Sequence, residues 1–187
     1  MEPVTLVGDG VVLTTLRDAD IDLIVEYCRD PIFERFLTTP WPYERSHAEF
    51  FVRDYAAGGW ERGDEATWAI RGEVDGELWG AIGVRLPSGS VGYWLGAPHR
   101  GRGITRAAFE LVADFAFSPD GLGLERLTWE CAIGNIASAA LARSVGFRYD
   151  GEALGEVANR DGERELAWTG SMTATDRGTR SDWPMLP

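Results

Sequence analysis

The residues best suited to chemistry cluster at Arg100-Gly101-Arg102-Gly103-Ile104-Thr105, with Arg106 next in line. A helix opening here leaves its first backbone N–H groups without intrahelical acceptors, and the glycines let another molecule's phosphates approach the main chain. Arg100, Arg102 and Arg106 add fixed positive charge to the helix end that is already positive. The turn reads as an anion site, although an ordinary exposed helix start has the same composition. The two cysteines, Cys28 and Cys131, are far apart and flanked by apolar neighbours, so a disulfide framework, a cysteine nucleophile and a metal site are not expected. His47 reads as a surface residue, and His99 as a contact to ligand or solvent rather than a base.

Positioning the turn takes a strand before it and a helix after it. Val91, Tyr93 and Leu95 alternate with Gly92 and Trp94, Gly96-Ala97-Pro98 breaks the strand, and Arg102 to Phe117 follows as a helix. Ala107, Ala108, Leu111, Val112, Phe115 and Ala116 form its apolar face. Upstream, Val11 to Leu16 has strand composition, Asp18 stands as N-cap of a helix running to about Arg29, and Asp30-Pro31 ends it. Ile32 to Tyr43 reads as a connection whose aromatics either pack as core and lid or line a cleft. Ser46 caps a second helix with Phe50, Phe51 and Tyr55 inward. Ala66 to Gly72, Glu77 to Leu86 and Ser90 to Leu95 form a meander. Downstream, Leu127, Trp129, Cys131 and Ile133 alternate with Thr128, Glu130 and Ala132. Asn135 or Ser138 then starts a helix through Ile136, Ala140, Leu141 and Val145, closed by Gly146. Phe147 to Tyr149 and Arg164 to Gly170 make a final hairpin. This order predicts an α+β fold with a single mixed, mostly antiparallel sheet packed between helices. Residues 1–172 form the domain, and 173–187 a polar tail that either docks through Trp183 or stays mobile.

A chain of 187 residues, 44% apolar with eight tryptophans, fits one globular domain. No run reaches the ~18 consecutive apolar residues of a membrane span, and Met1-Glu2-Pro3 lacks the features of a signal peptide, so a cytoplasmic protein without membrane contact is expected. The 18 basic residues are outnumbered by 30 acidic ones, giving −12, which disfavours nucleic-acid binding and favours an amine-bearing or cationic substrate. Against that background the arginine cluster is a local exception.

The strand GYWLG followed by HRGRGIT, and the later Asn135-Ile136-Ala137-Ser138 with Gly146-Phe147-Arg148, resemble the GNAT superfamily of acyl-coenzyme-A-dependent N-acetyltransferases. Within it the chain is most similar to the Rim-type branch, which acetylates ribosomal-protein alanine. The resemblance covers roughly Val11 to Gly170. The family signature of Arg or Gln, two residues, Gly, one residue, then Gly or Ala falls on Arg100, Gly103 and Thr105, with Thr105 departing from the small final residue. The resemblance implies acetyl-CoA as acyl donor, its pyrophosphate on the N–H groups of Gly101, Arg102, Gly103, Ile104 and Thr105. It implies pantetheine along Trp94, Leu95 and Gly96, and Asn135 and Ser138 beside the pantetheine arm. Asn135 as a plain helix cap is the alternative. Ser144 replaces a family lysine, with Arg143 beside it as a substitute phosphate contact.

The resemblance further implies direct attack by an amine without a covalent acyl-enzyme. A free α-amino group, pKa about 7.7 to 8.0, needs less help losing its proton than a lysine near 10.4. Glu130, on the strand face opposite Leu127, Trp129 and Cys131, is the candidate base, and Ser138 shares catalysis, with Tyr149 and Glu165 as further acids or relays. The expected acceptor is a protein or peptide N-terminus. The alternatives are a small amine such as an aminoglycoside, polyamine or other antibiotic, and an acyl-CoA-binding module without turnover. A homodimer is left open.

Overall fold

In the computed structural model, which describes residues 1–186, the chain runs β1 (Leu6–Val7), β2 (Val12–Thr14), α1 (Ile21–Cys28), α2 (Pro31–Phe36), α3 (Arg45–Phe50), α4 (Ala57–Arg62), β3 (Glu65–Arg71), β4 (Gly80–Arg85), β5 (Ser90–Leu95), α5 (Ile104–Phe117), β6 (Leu127–Ala132), α6 (Ile136–Val145), β7 (Arg148–Leu154) and β8 (Leu166–Met172). The strands make one sheet ordered β1-β2-β3-β4-β5-β6-β8-β7, antiparallel throughout except for β5 beside β6. This is the expected α+β arrangement with a single mixed sheet. No helix among the described residues is long and apolar enough to cross a membrane.

Strand alternation sends one set of side chains to each side. Leu13, Trp68, Ile82, Val91, Leu127 and Trp129 meet the small-residue stripe Ala108, Val112, Ala113 and Ala116 of α5 on one side. Ile21, Ile24, Phe33, Val52 and Ala69 pack on the other. The fully buried Arg71 fastens the second layer to the sheet. Its guanidinium meets both oxygens of Asp20, at 2.9 and 2.6 Å, and donates to Thr14 Oγ1 at 2.8 Å. Removing one member would strand the other's charge, at a cost of about 3–5 kcal/mol.

Several local expectations need correction. Asp18 does not cap α1: a 3-10 turn over Asp18–Asp20 precedes the helix, and Asp18 pairs with Arg53. Asp30-Pro31 ends α1 but also opens α2, because Asp30 Oδ1 accepts from Ile32 N at 3.0 Å and Pro31 fits the first helical turn. Glu44, not Ser46, is the N-cap of α3, with His47 Nδ1 accepting from the Glu44 N–H. Between α3 and α4 the chain forms a π-helical stretch, Phe51–Ala56. Wider winding rotates the buried face to Ala48, Val52, Ala56 and Trp60 and leaves Phe50 exposed. In α6 the buried set is Ala139, Ala142, Arg143 and Val145, while Ile136 is exposed. The strand β1 was not foreseen.

The tail docks. Trp183 is buried, with ring centroids 5.4 Å from both Trp129 and Tyr149. Arg177 pairs with Glu110 and Asp114 of α5. Pro187 lies outside the described residues.

Candidate active site

The two parallel strands stay together for one bridge, Ser90 with Thr128, and then diverge. A cleft of about 500 Å³ opens where they part. Gly96 N donates to Trp79 O at 2.9 Å, which fixes the alternation of peptide groups along β5. Those of Trp94 and Gly96 turn toward β4, and those of Tyr93 and Leu95 toward the gap. Of the three residues predicted to offer main chain to a ligand, Leu95 alone turns its peptide groups to the gap. Trp94 instead contributes its indole to the α2 side of the cleft, and Gly96 packs against the Tyr27 ring.

Beyond β5 the expected turn takes the shape the glycines allow. Gly101 and Gly103 sit at φ +72° and +76°, a region side chains resist, and a Cβ at either would meet nothing within 4 Å. The first helical bond of α5 runs from Ala107 N to Gly103 O, and no described residue accepts from the N–H groups of Gly101 to Arg106. The result is a row of donors facing open space at a helix N-terminus, a cradle for phosphate.

The arginines divide their roles. Arg100 is committed: Nε donates to Leu95 O at 3.0 Å and Nη1 to Asp30 Oδ2 at 2.7 Å, so it braces the turn against β5 and α2. Arg102 lies over the Trp79 ring at 5.9 Å and does not line the cleft, nor does Gly96. Arg106 lines the cleft and has no ion-pair partner among the described residues, which makes it the cation most available to a phosphate. Arg143 is buried in α6, and Ser144 Oγ donates to Leu141 O.

Across the gap, Asn135 caps α6, its Oδ1 accepting from Ser138 N at 3.2 Å, and it also lines the cleft. The Ser138 hydroxyl stands in a three-member network. Tyr93 OH lies 2.9 Å from Ser138 Oγ, and Trp129 Nε1 donates to Ser138 Oγ at 3.1 Å and Tyr93 OH at 3.2 Å. Burial pushes the Tyr93 phenol up to about 12, so it stays protonated at physiological pH. Burial also takes the Cys131 thiol to about 12, far from a nucleophile's range.

Glu130 faces the α2 side, as the alternation required, but does something the sequence did not announce. Its Oε2 accepts from Glu156 N at 2.7 Å and its Oε1 from Val157 N at 3.1 Å. These amides belong to a strap, residues 155–165, that crosses from β7 to α2. There Arg160 donates to four carbonyls, those of Phe33, Glu34, Leu37 and Thr39. Phe33, Phe36, Leu37, Val157 and Leu166 make this wall largely apolar. Glu165 lines the cleft and accepts from Asn159 Nδ2 at 2.8 Å. Tyr149 does not line it; its ring packs at a tilt against Trp183.

A split parallel pair with an anion cradle at the end of one strand and a half-buried hydroxyl network across the gap fits an acyl-CoA-dependent transferase. Comparison agrees: the acetyltransferase (GNAT) domain family matches residues 11–148, and the chain belongs to it. A relative from Bacillus subtilis (strain 168), YdaF, which carries the name of a ribosomal N-acetyltransferase, is 32% identical over 84 residues. That match spans 42% of this chain and 45% of the relative, less than half of its length. A Vibrio cholerae structure named as a ribosomal-protein-serine acetyltransferase superposes with a TM-score of 0.78 at 20% identity, over 92% of this chain and 99% of its own. The ribosomal L7/L12 acetyltransferase RimL gives 0.73 at 16%, over 91% and 94%. The self-immunity acetyltransferase MccE, solved with acetyl-CoA and AMP, gives 0.72 at 18%, over 89% and 93%. The open cradle at Gly101 and Gly103 and the unclaimed donors beside it fit the family's acyl donor, acetyl-CoA.

Proposed function

We propose that the protein transfers an acetyl group to an α-amino group, most favourably that of a peptide or protein N-terminus. Acetyl-CoA, when bound, supplies the acyl group as a thioester. The N–H groups of Gly101 to Thr105 and the Arg106 guanidinium would hold its phosphates, and the Tyr93 and Leu95 peptide groups with Asn135 its arm. Ser138, kept in place by Trp129 and Tyr93, serves as the acid. Each oxygen of Glu130 uses one acceptor position on the strap and retains another, so the carboxylate can take the amine's proton directly or through water. An α-amino group, pKa about 7.7 to 8.0, asks little of that base.

The observation that carries the choice of acceptor is the apolar wall of Phe33, Phe36, Leu37, Val157 and Leu166. With Arg100 paired to Asp30 and Arg106 given to the phosphates, the acceptor side sets only Glu130 and Glu165 against Arg85. Two carboxylates on an apolar wall suit a single amine on an uncharged frame and disfavour polycationic aminoglycosides and polyamines, whose further charges would be buried unpaired. The names carried by YdaF and by the Vibrio cholerae neighbour, both ribosomal acetyltransferases, support the same reading, and a ribosomal-protein substrate would put the reaction in the cytoplasm. A thiol-release assay with acetyl-CoA against N-terminal peptides, aminoglycosides and spermidine tests this. Peptide turnover is expected; turnover of the polycations alone, or acetyl-CoA binding without turnover of any amine, would refute it.

A further inference from the structure

The cleft continues sideways over β5 and β4 into a cavity of about 160 Å³ lined by Tyr55, Glu65, Thr67, Gly83, Arg85 and Gly92. Pairing places Thr67, Gly83 and Gly92 in register across β3, β4 and β5. A Cβ at Gly92 would meet no heavy atom within 4 Å, whereas one at Gly83 would lie 3.0 Å from Thr67 Oγ1 and 3.1 Å from Glu65 Oε1. The passage is thus floored by bare backbone, open at its cleft end and closed by Glu65 at the other.

Glu65 has spare capacity. Its Oε2 accepts from Tyr55 OH at 2.6 Å and its Oε1 from Thr67 Oγ1 at 3.3 Å, leaving an acceptor position on each oxygen. Burial pushes its carboxyl up, opposed by the Tyr55 hydrogen bond and by Arg85, its cross-strand neighbour. With Arg85 beside it the pair is balanced in charge, which suits a neutral hydrogen-bond donor better than a second cation. The volume suits a small side chain, about the size of a six-membered ring at most. The chemistry of the transfer uses none of these groups.

We propose that this cavity is a specificity subsite that receives the side chain of the residue carrying the reacting amine, and that Glu65 selects side chains donating a hydrogen bond. The inference rests on the α-amino reading of the cleft. Because a buried acceptor left unpaired penalises an analogue lacking the donor, the discriminating comparison is between isosteres.

The experiment measures kcat/KM by thiol release for peptides beginning with Thr or Val, and for 1-amino-2-propanol against isobutylamine, the same pair without a peptide. Wild-type protein should prefer the hydroxyl member of each pair by about 10-fold. Glu65→Leu should bring both ratios to about one by slowing the hydroxyl substrates alone. Gly92→Ala, which narrows the entrance without a clash, should raise KM for Thr and Val peptides alike. Misfolding would lower every rate together and the melting temperature with them, leaving the ratios intact. A wild-type ratio near one, or a preference that survives Glu65→Leu at an unchanged melting temperature, would overturn the subsite. Peptides inert beside active small amines would instead refute the peptide reading, and the small-amine ratio would still decide the subsite.

Discussion

On one wall of the cleft, Gly101 to Arg106 present a row of unclaimed N–H groups that half a dozen consecutive residues suffice to build. On the other, Arg160 reaches carbonyls more than 120 positions back, at Phe33, Glu34, Leu37 and Thr39, and Glu130 holds amides from the next hairpin. The first wall offers backbone donors, a geometry that tolerates changes in most side chains provided the glycines remain. The second is assembled from side chains far apart in sequence, so single substitutions can reshape it without touching the first. The two walls should therefore fail separately, one in donor affinity and the other in acceptor KM.

The largest separation is expected from Gly101→Ala combined with Gly103→Ala. Forcing a Cβ onto two left-handed residues costs about 1–2 kcal/mol each, which corresponds to at least ~30-fold weaker acetyl-CoA binding in a calorimetric titration. Acceptor KM should stay near wild type; an equal loss in both would mean that the walls are one mechanical unit. Next comes Glu130→Gln, expected to lower kcat by at least ~10-fold with acetyl-CoA binding little changed. An amide retains one acceptor oxygen for the strap but turns an N–H toward the other amide, so acceptor KM should rise as well. The pH–rate profile separates the roles: if the alkaline-rising limb persists in the variant and only KM moves, Glu130 anchors the strap and is not the base. Arg160→Ala supplies the reference, a rise in acceptor KM of several-fold with kcat and its pH dependence unchanged.

A smaller effect probes which wall the tail serves. Trp183 touches Trp129, whose indole N–H holds Ser138 and Tyr93, so Trp183→Ala should act on the donor side. We expect kcat to fall a few-fold with acceptor KM constant, alongside a loss of about 3 kcal/mol in urea unfolding from the emptied site. A change confined to stability would make the tail a packing element only.

The same contrast explains what could be read from the sequence. The donor wall was legible because its signals are local: glycines where φ is positive and an asparagine three residues before the amide it caps. On the other wall only the face of Glu130 could be read, from the alternation along β6. The single mixed sheet, its meander and its closing hairpin followed from turns and periods. Arg160 gave no such signal, since an arginine in a polar loop looks like any solvated one until α2 is beside it. The π-helical stretch at Phe51–Ala56 broke the 3.6-residue period on which the burial of Phe50 was inferred. By contrast α2 was readable but misread: an aspartate followed by proline is a stop for the helix before it and a start for the helix after it. For Arg100, the motif position does not reveal that a carboxylate 70 residues upstream will take its guanidinium.

Asp30 is where the two walls are joined, and it offers the finest test of their independence. Its Oδ1 caps α2 through Ile32 N, while its Oδ2 holds Arg100, which in turn holds Leu95 O at the edge of the gap. The Ile32 N–H, and after it the Arg100 guanidinium, hold the carboxyl below its usual value against the opposing effect of burial. A carboxyl depressed in the folded state stabilises it fully above the unfolded value near 3.8, and that contribution is lost as pH falls through the lower folded value. Asn caps a helix about as well as Asp, so Asp30→Asn keeps the α2 contact through Oδ1 while an amide N–H replaces the carboxylate oxygen that Arg100 holds, removing that charge and acceptor. At pH 7 the variant should be less stable by about 0.5–1 kcal/mol, the scale of a partly exposed ion pair. In urea titrations repeated down to pH 3 the difference from wild type should shrink below pH 4, where the wild-type carboxylate protonates. Acetyl-CoA affinity should weaken slightly as the Arg100 brace loosens, with acceptor KM unmoved because the cap is intact. A rise in acceptor KM of equal size would show that strain at the cradle crosses Asp30 into α2, and that the walls are coupled through this one carboxylate.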